Sequence, residues 1–300
     1  MEFLNKIDKQ QVQKITLIVI AALTILALVL LLVVIVASVN PANSFGISGG
    51  FDNMIEHTIT DKDLQTGSLV LADDEHNYTV AEELLGIVSL SEYRAQMLIE
   101  ENLEVSKANY QYLTYSNLGL SNIAIHQAHK MLVDAKNNVD QRAIYVDAGY
   151  HWRLPEGHDE IVEYQTGLLM HLADYDSEAD KGNEIALSKE YRNWLRSNAE
   201  KYGFIESFED SYRYVGVAHA KAISESKDFD SLAEYIAYLK EKTASDASKT
   251  VEIKVGDATY KVYYVACVAG DTIKVPAESE GEVTISGTNE GGVIVTVKVK

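Results

Sequence analysis

Cysteine is nearly missing from this sequence: Cys267 stands alone among 300 residues, so no internal disulfide can staple the fold in any compartment. Stability must come from an ordinary apolar core, and the length suffices for one main domain and a small second one. Basic residues are also scarce, with 26 Lys and Arg against 45 Asp and Glu and a formal net charge of −19. That balance argues against nucleic acid as a partner, because phosphate binding needs concentrated Lys and Arg. It suits a surface kept soluble by its own charge. No Gly-x-Ser-x-Gly elbow or spaced triad accompanies Ser207 or Ser211, which leaves serine hydrolase chemistry without a signature.

Charge is absent altogether from residues 15–39, ITLIVIAALTILALVLLLVVIVASV. A spanning helix needs about 20 apolar residues, so this run predicts one transmembrane helix. A cleaved signal peptide has an apolar core of only about 7 to 15 residues, followed by small residues at the cut. Lys6, Lys9 and Lys14 precede the run and the next Lys is Lys62. Positive charge stays inside, which makes residues 1–14 a cytoplasmic tail and turns the rest outward. Residues 40–66 carry Pro41, Gly46, Gly49 and Gly50 with little apolar periodicity, and read as a tether.

Folding is expected from Gly67, beginning with a short apolar strand at residues 67–73, GSLVLAD. Helical spacing dominates residues 90–136, with Met97, Leu98, Leu118, Ile125, Ala128 and Leu132 facing a core. His126 and His129 lie one turn apart there, but without an intervening acid they read as core or surface histidines. Residues 143–152 (AIYVDAGYHW) predict a strand ending in a glycine turn. Residues 231–242 predict a helix striped by Leu232, Tyr235, Ile236 and Leu239, packed on the main domain. After a small polar linker at 243–250, residues 251–300 alternate in short strands parted by Gly-Asp and Asn-Glu-Gly-Gly turns. This β module is too small to be securely stable alone, so it should dock on the main domain.

Residues 162–171 read VEYQTGLLMH and resemble the zinc motif Ser-x-His-x-x-Gly-x-Ala-x-Asp of VanY-like D-alanyl-D-alanine carboxypeptidases. Gln165, Thr166, Gly167 and Leu168 reproduce that family's Gln-Thr-Gly-Leu. Residues 194–205 (WLRSNAEKYGFI) and 212–220 (YRYVGVAHA) resemble family segments flanking the third ligand, residues 67–73 its first strand, and the ISG-N-GG-IVTV ending that of Gram-positive relatives. The resemblance covers about residues 67–222. It implies an α+β fold, a central antiparallel sheet with helices to one side, shared with lysostaphin-type peptidases and the hedgehog signalling domain.

For chemistry, the resemblance implies loss. The ligand histidine falls on Tyr164, the ligand aspartate on His171, the third ligand on Ser211 and the catalytic base on Phe208. His151 replaces the substrate-holding arginine after Gly149 and Tyr150. Only residues 206–211 remain where the family has a long substrate-binding hairpin. A catalytic zinc needs three protein ligands and an open position, and a phenol with a pKa of about 10 is a poor donor in neutral water. Losing the base alone costs about 10²- to 10⁴-fold. The expectation is a membrane-anchored extracellular pseudopeptidase without a cofactor. It would bind peptidoglycan stem peptides or another envelope protein in a cleft bounded by Tyr150, His151, Gln165, Thr166, Gly167 and Arg213. The alternative is an active or remodelled zinc carboxypeptidase trimming peptidoglycan, its site rebuilt from His151, His158, His171 and Asp174, since imidazole and carboxylate are ordinary zinc donors.

Overall fold

A computed structural model describes residues 51–100, 118–139, 143–150, 161–175, 186–243 and 249–299. The expected transmembrane helix at 15–39, His151, His158 and most of the 243–250 linker lie outside these residues. Among the described residues, no helix is long and apolar enough to cross a membrane. In chain order the elements are β1 (Met54–Thr58), α1 (Asp61–Gln65), α2 (Glu82–Leu85), β2 (Ile87–Ser89), α3 (Leu90–Glu100), β3 (Gly119–Ser121), α4 (Asn122–Val139), β4 (Ala143–Ala148) and β5 (Leu169–Tyr175). Then come α5 (Lys189–Asn198), β6 (Phe204–Phe208), β7 (Ser211–Tyr214), α6 (Val217–Glu225), α7 (Leu232–Thr243), β8 (Val251–Val255), β9 (Ala258–Ala266), β10 (Thr272–Pro276), β11 (Gly281–Gly287) and β12 (Gly292–Val299). A 3-10 helix at Val162–Thr166 leads into β5. The architecture is α+β, with antiparallel pairing among all the described strands.

The main sheet has four strands in the order β4-β5-β7-β6. One face buries Ile144, Val146, Met170, Leu172 and Tyr212 against Ile125, Met131 and Leu132 of α4 and Tyr191 and Leu195 of α5. Each such side chain contributes about 1.5–3 kcal/mol on leaving water, so these helices are held by packing more than by propensity. Ser188 caps α5 by accepting from the Tyr191 amide. The helix is fixed laterally where Arg192 donates twice to Asp210, at 2.7 and 2.6 Å.

A second core lies under the C-terminal sheet, ordered β11-β12-β9-β8. Val215, Ile223, Tyr235, Ile236 and Leu239 meet Ile253, Val262 and Ile294 there. The apolar stripe of α7 therefore packs on α6 and residues 69–71 of the main domain, as expected, and on the β module as well.

Two expectations change. Residues 67–73 form no strand. Leu69 and Leu71 enter the second core while Val70 and Ala72 join Tyr78, Leu85 and Leu168 in another. The alternation is that of an extended chain, but its ladder is replaced by other partners. The Leu69 amide donates to Ser286 Oγ at 2.9 Å, the Leu71 amide to the Thr288 carbonyl at 3.2 Å, and the Val70 carbonyl accepts from Arg213 at 2.9 Å. The tether, in turn, is folded over its described part. Phe51 and Ile59 are buried, β1 pairs antiparallel with β10 from Met54 opposite Pro276 to Thr58 opposite Thr272, and α1 begins in a Thr60–Asp63 capping box. Composition missed this because the strand partner of β1 lies near the other end of the chain.

His219 of α6 sits at the centre of the second core, its Nδ1 2.8 Å from the Tyr235 hydroxyl and its Nε2 3.0 Å from Thr296 Oγ1. Burial pushes its pKa down to about 4, so it folds as neutral imidazole. The unfolded chain binds this proton at pH below about 6.5, so stability present above that pH falls as acidity passes from 6.5 towards 4. The expected loss is on the order of 3 kcal/mol. Urea midpoints at pH 7 and pH 4.5 check it: His219→Gln should lose markedly less stability across this interval than the parent chain, and equal losses would contradict the assignment.

Candidate functional site

Hydrogen-bonding register and a glycine turn bring the motif positions together. β5 and β7 pair with His171 directly opposite Ser211, and β6 and β7 pair with Phe208 opposite Ser211. The β6–β7 connection is therefore a two-residue turn, Glu209-Asp210, with Asp210 in the left-handed region at φ 60°. Tyr164 arrives from the 3-10 helix, which ends at Gly167 with φ 69°. A Cβ at Gly167 would lie 2.3 Å from Ile87 Cδ1 and 3.1 Å from the Ser121 amide nitrogen, so the close contact and the left-handed backbone both require glycine.

Tyr164 and Ser211 are wholly buried, at 0% exposure each. The Tyr164 ring stands edge-on to Phe208, with centroids 6.4 Å apart and planes at 88°, and both pack with Ala148 and Leu169. Burial drives the ionisation of the Tyr164 hydroxyl far above its ordinary range, Ser211 offsetting part of this while Asp147 and Glu163 add to it. The Ser211 hydroxyl makes no well-formed hydrogen bond of its own. His171 is half-buried, and its Nδ1 lies 2.5 Å from Asp147 Oδ1. Asp147 occupies the β4 irregularity between Val146 and Ala148. The sequence reading missed it, although a carboxylate inside the apolar run AIYVDA was the available signal.

This donor set does not fit zinc. A phenol that stays neutral, a sunken serine hydroxyl and a single imidazole are not the three basic donors that a catalytic zinc requires. Asp174 cannot complete them. It lies three residues from His171 on one strand, hence on the opposite face, where it is buried near Tyr191. That corrects its place in the alternative metal set. Among the described residues, no three His, Cys, Asp or Glu side chains are grouped as metal ligands; His151 and His158 lie outside them.

The expected cleft also divides. Gln165 is exposed and Tyr150 half-buried, with Tyr150 bridged to Gly119 through both backbone hydrogen bonds and its hydroxyl set against Glu82. Arg213 and Thr166 do not line it. Arg213 is 1% exposed and donates to Thr166 Oγ1 at 2.8 Å and to the Val70 and Ser68 carbonyls at 2.9 and 3.4 Å. The hydroxyl of Thr166 in turn donates to the Glu163 carbonyl at 2.7 Å. With its two terminal nitrogens engaged and its Nε buried without a partner, the guanidinium is turned into the protein and away from any ligand in the cleft. What remains open beside Phe208 is a cleft of about 460 Å³, with Ala72 to Glu75 on one side and Ile161, Val162, Glu163 and Phe208 on the other. Ser207 closes towards it by donating to Glu163 at 2.9 Å.

No protein-family profile matches the chain. A D-alanyl-D-alanine carboxypeptidase of Enterococcus faecium is 29% identical over 278 residues, covering 86% of this chain and 84% of the relative. The crystal structure of the vancomycin-resistance D,D-dipeptidase VanXYg, in complex with a D-Ala-D-Ala phosphinate analogue, superposes with a TM-score of 0.58. It covers 82% of this chain and 99% of its own at 18% identity, a likeness of fold.

Gly167→Ala should destabilise the chain by about 2–4 kcal/mol, the sum of left-handed strain and overpacking. Ile87→Val removes the very Cδ1 that the new methyl would strike. In a double-mutant cycle of denaturant midpoints the pair should recover about 1 kcal/mol or more of that cost, and strict additivity would show that the contact is not the cause.

Proposed function

We propose that the chain, similar over most of its length to a D-alanyl-D-alanine carboxypeptidase and alike in fold to a D,D-dipeptidase, is a VanY-like pseudopeptidase in which Tyr164, Phe208 and Ser211 stand where that family carries its zinc chemistry. It binds peptidoglycan stem peptides, or a protein that displays the same chemistry, without cutting them. The observation that carries this reading is the edge-on packing of Tyr164 on Phe208 over a buried Ser211. Apolar contact fills the space where a hydrolytic site needs a metal-bound water and a base. The apolar run at 15–39 and the lysines before it support a single-pass anchor with the folded part outside the cell, where such peptides occur.

Binding without hydrolysis needs only a shaped, partly apolar cleft with a few polar groups, and the depression beside Phe208 has both. Function resides in the site rather than the scaffold, so the inherited fold is compatible with recognition alone.

With stem peptides ending in D-Ala-D-Ala, no D-alanine should be released above background. Release abolished by EDTA would favour the active zinc enzyme instead. Restoring donors in the triple variant Tyr164→His, His171→Asp and Ser211→His should bring back zinc binding without activity, since Phe208 supplies no base. Isothermal titration with zinc reads this, and no gain in affinity over the parent would sink the placement of the former ligand positions.

A further inference from the structure

The cleft wall formed by residues 72–75 does not stand by itself. Its loop is tied to the C-terminal module at three points. Asn289 donates to the Leu71 carbonyl at 2.9 Å and the Asn77 carbonyl at 3.1 Å, the Leu71 amide donates to the Thr288 carbonyl, and His76 reaches Glu290. Within the loop, Asp73 Oδ1 accepts from the Glu75 and His76 amides at 3.0 and 2.9 Å. His76 then joins the two systems, its Nδ1 lying 2.6 Å from Asp73 Oδ1 and its Nε2 3.1 Å from Glu290 Oε1. Glu290 is itself held by Lys240 of α7.

Carboxylates only accept, so an imidazole contacting one through each nitrogen must donate from both, and only the protonated ring can. The charged groups around it agree: Asp73, with Asp74 and Glu75 adjacent in its own loop, and Glu290, backed by Lys240, on the module. Although burial opposes the charge on His76, its hydrogen bonds to Asp73 and Glu290 outweigh it and its pKa is raised. When the proton leaves, the neutral ring can keep one donor. The Asp73 bond is shorter and Asp73 is anchored by two amides, so the Glu290 contact is the one lost.

We propose that His76 is a proton-dependent latch through which the C-terminal β module holds the wall of the cleft, closed when His76 is charged and loosened when it is neutral. The module thereby gains a role as the frame of the cleft. Its consequence for ligand entry rests on the binding function proposed above, but the latch is tested without any ligand.

Backbone amide exchange on the full-length chain reads it, followed by mass spectrometry on peptides spanning residues 71–78 and corrected for intrinsic rates. Between pH 6 and pH 8.5 protection there should fall by about threefold, the effect of one partly exposed charged contact, while β12 is unchanged. His76→Gln and Glu290→Gln should each show the loosened level at both pH values. Constant protection in the parent chain, or a pH dependence that survives in either variant, would overturn the latch. Should a variant lose β12 protection and so its fold, the imidazole titration of His76 in the parent decides by NMR. A midpoint above that of free imidazole supports the latch, and one at or below it refutes it.

Discussion

One guanidinium with almost no access to water holds the part of this protein that carries the candidate site in shape. Arg213 projects from β7 and satisfies the carbonyls of Ser68 and Val70 on one side and the Thr166 hydroxyl on the other, with Glu163 3.6 Å away as its counter-charge. Burial lowers its pKa while Glu163 acts in the opposite direction, and an arginine starting from above 12 keeps its charge. Removing one partner of such a buried set typically costs about 3–5 kcal/mol, because the remaining charge has no solvent to fall back on. The segment it grips, Leu69 to Ala72, is the seam between two cores. The 3-10 helix it grips carries Tyr164. Fold and site therefore share one fastening.

What that fastening presents is the patch on which we place the former metal site. β5, β6 and β7 bring positions 171, 208 and 211 side by side, and the 3-10 helix sets Tyr164 against Phe208. The side chains there satisfy one another by ring packing and by the Asp147–His171 pair. A metal would have to displace a well-packed phenol from a dry environment and then deprotonate it, against both burial and two nearby carboxylates. The open surface lies one step away, in the cleft walled by the Ala72–Glu75 loop.

Local periodicity made much of this legible in the sequence. The Leu232–Leu239 stripe gave α7, and the alternating tail with its Gly-Asp turns gave β8 to β12, because spacings of 3.6 and 2 report which face is buried. Gly167 came through the resemblance alone, within its Gln-Thr-Gly-Leu, and its close contact with Ile87 shows only in the fold. What escaped depends on partners far along the chain. β1 carries no signal until β10 is beside it. Residues 67–73 have the pattern of a strand, yet their hydrogen bonds go to Ser286, Thr288 and Arg213. A resemblance put Arg213 in a cleft, where burial puts it behind one. His76 passed unnoticed because a lone histidine in an acidic loop gains meaning only when Glu290 meets it.

The central claim, that the old metal position is closed by packing and lacks donors, is tested most directly by elemental analysis of the chain purified without chelator. Well under one zinc per chain is the expected result. One tightly held zinc per chain, lost on His171→Ala, would contradict the account.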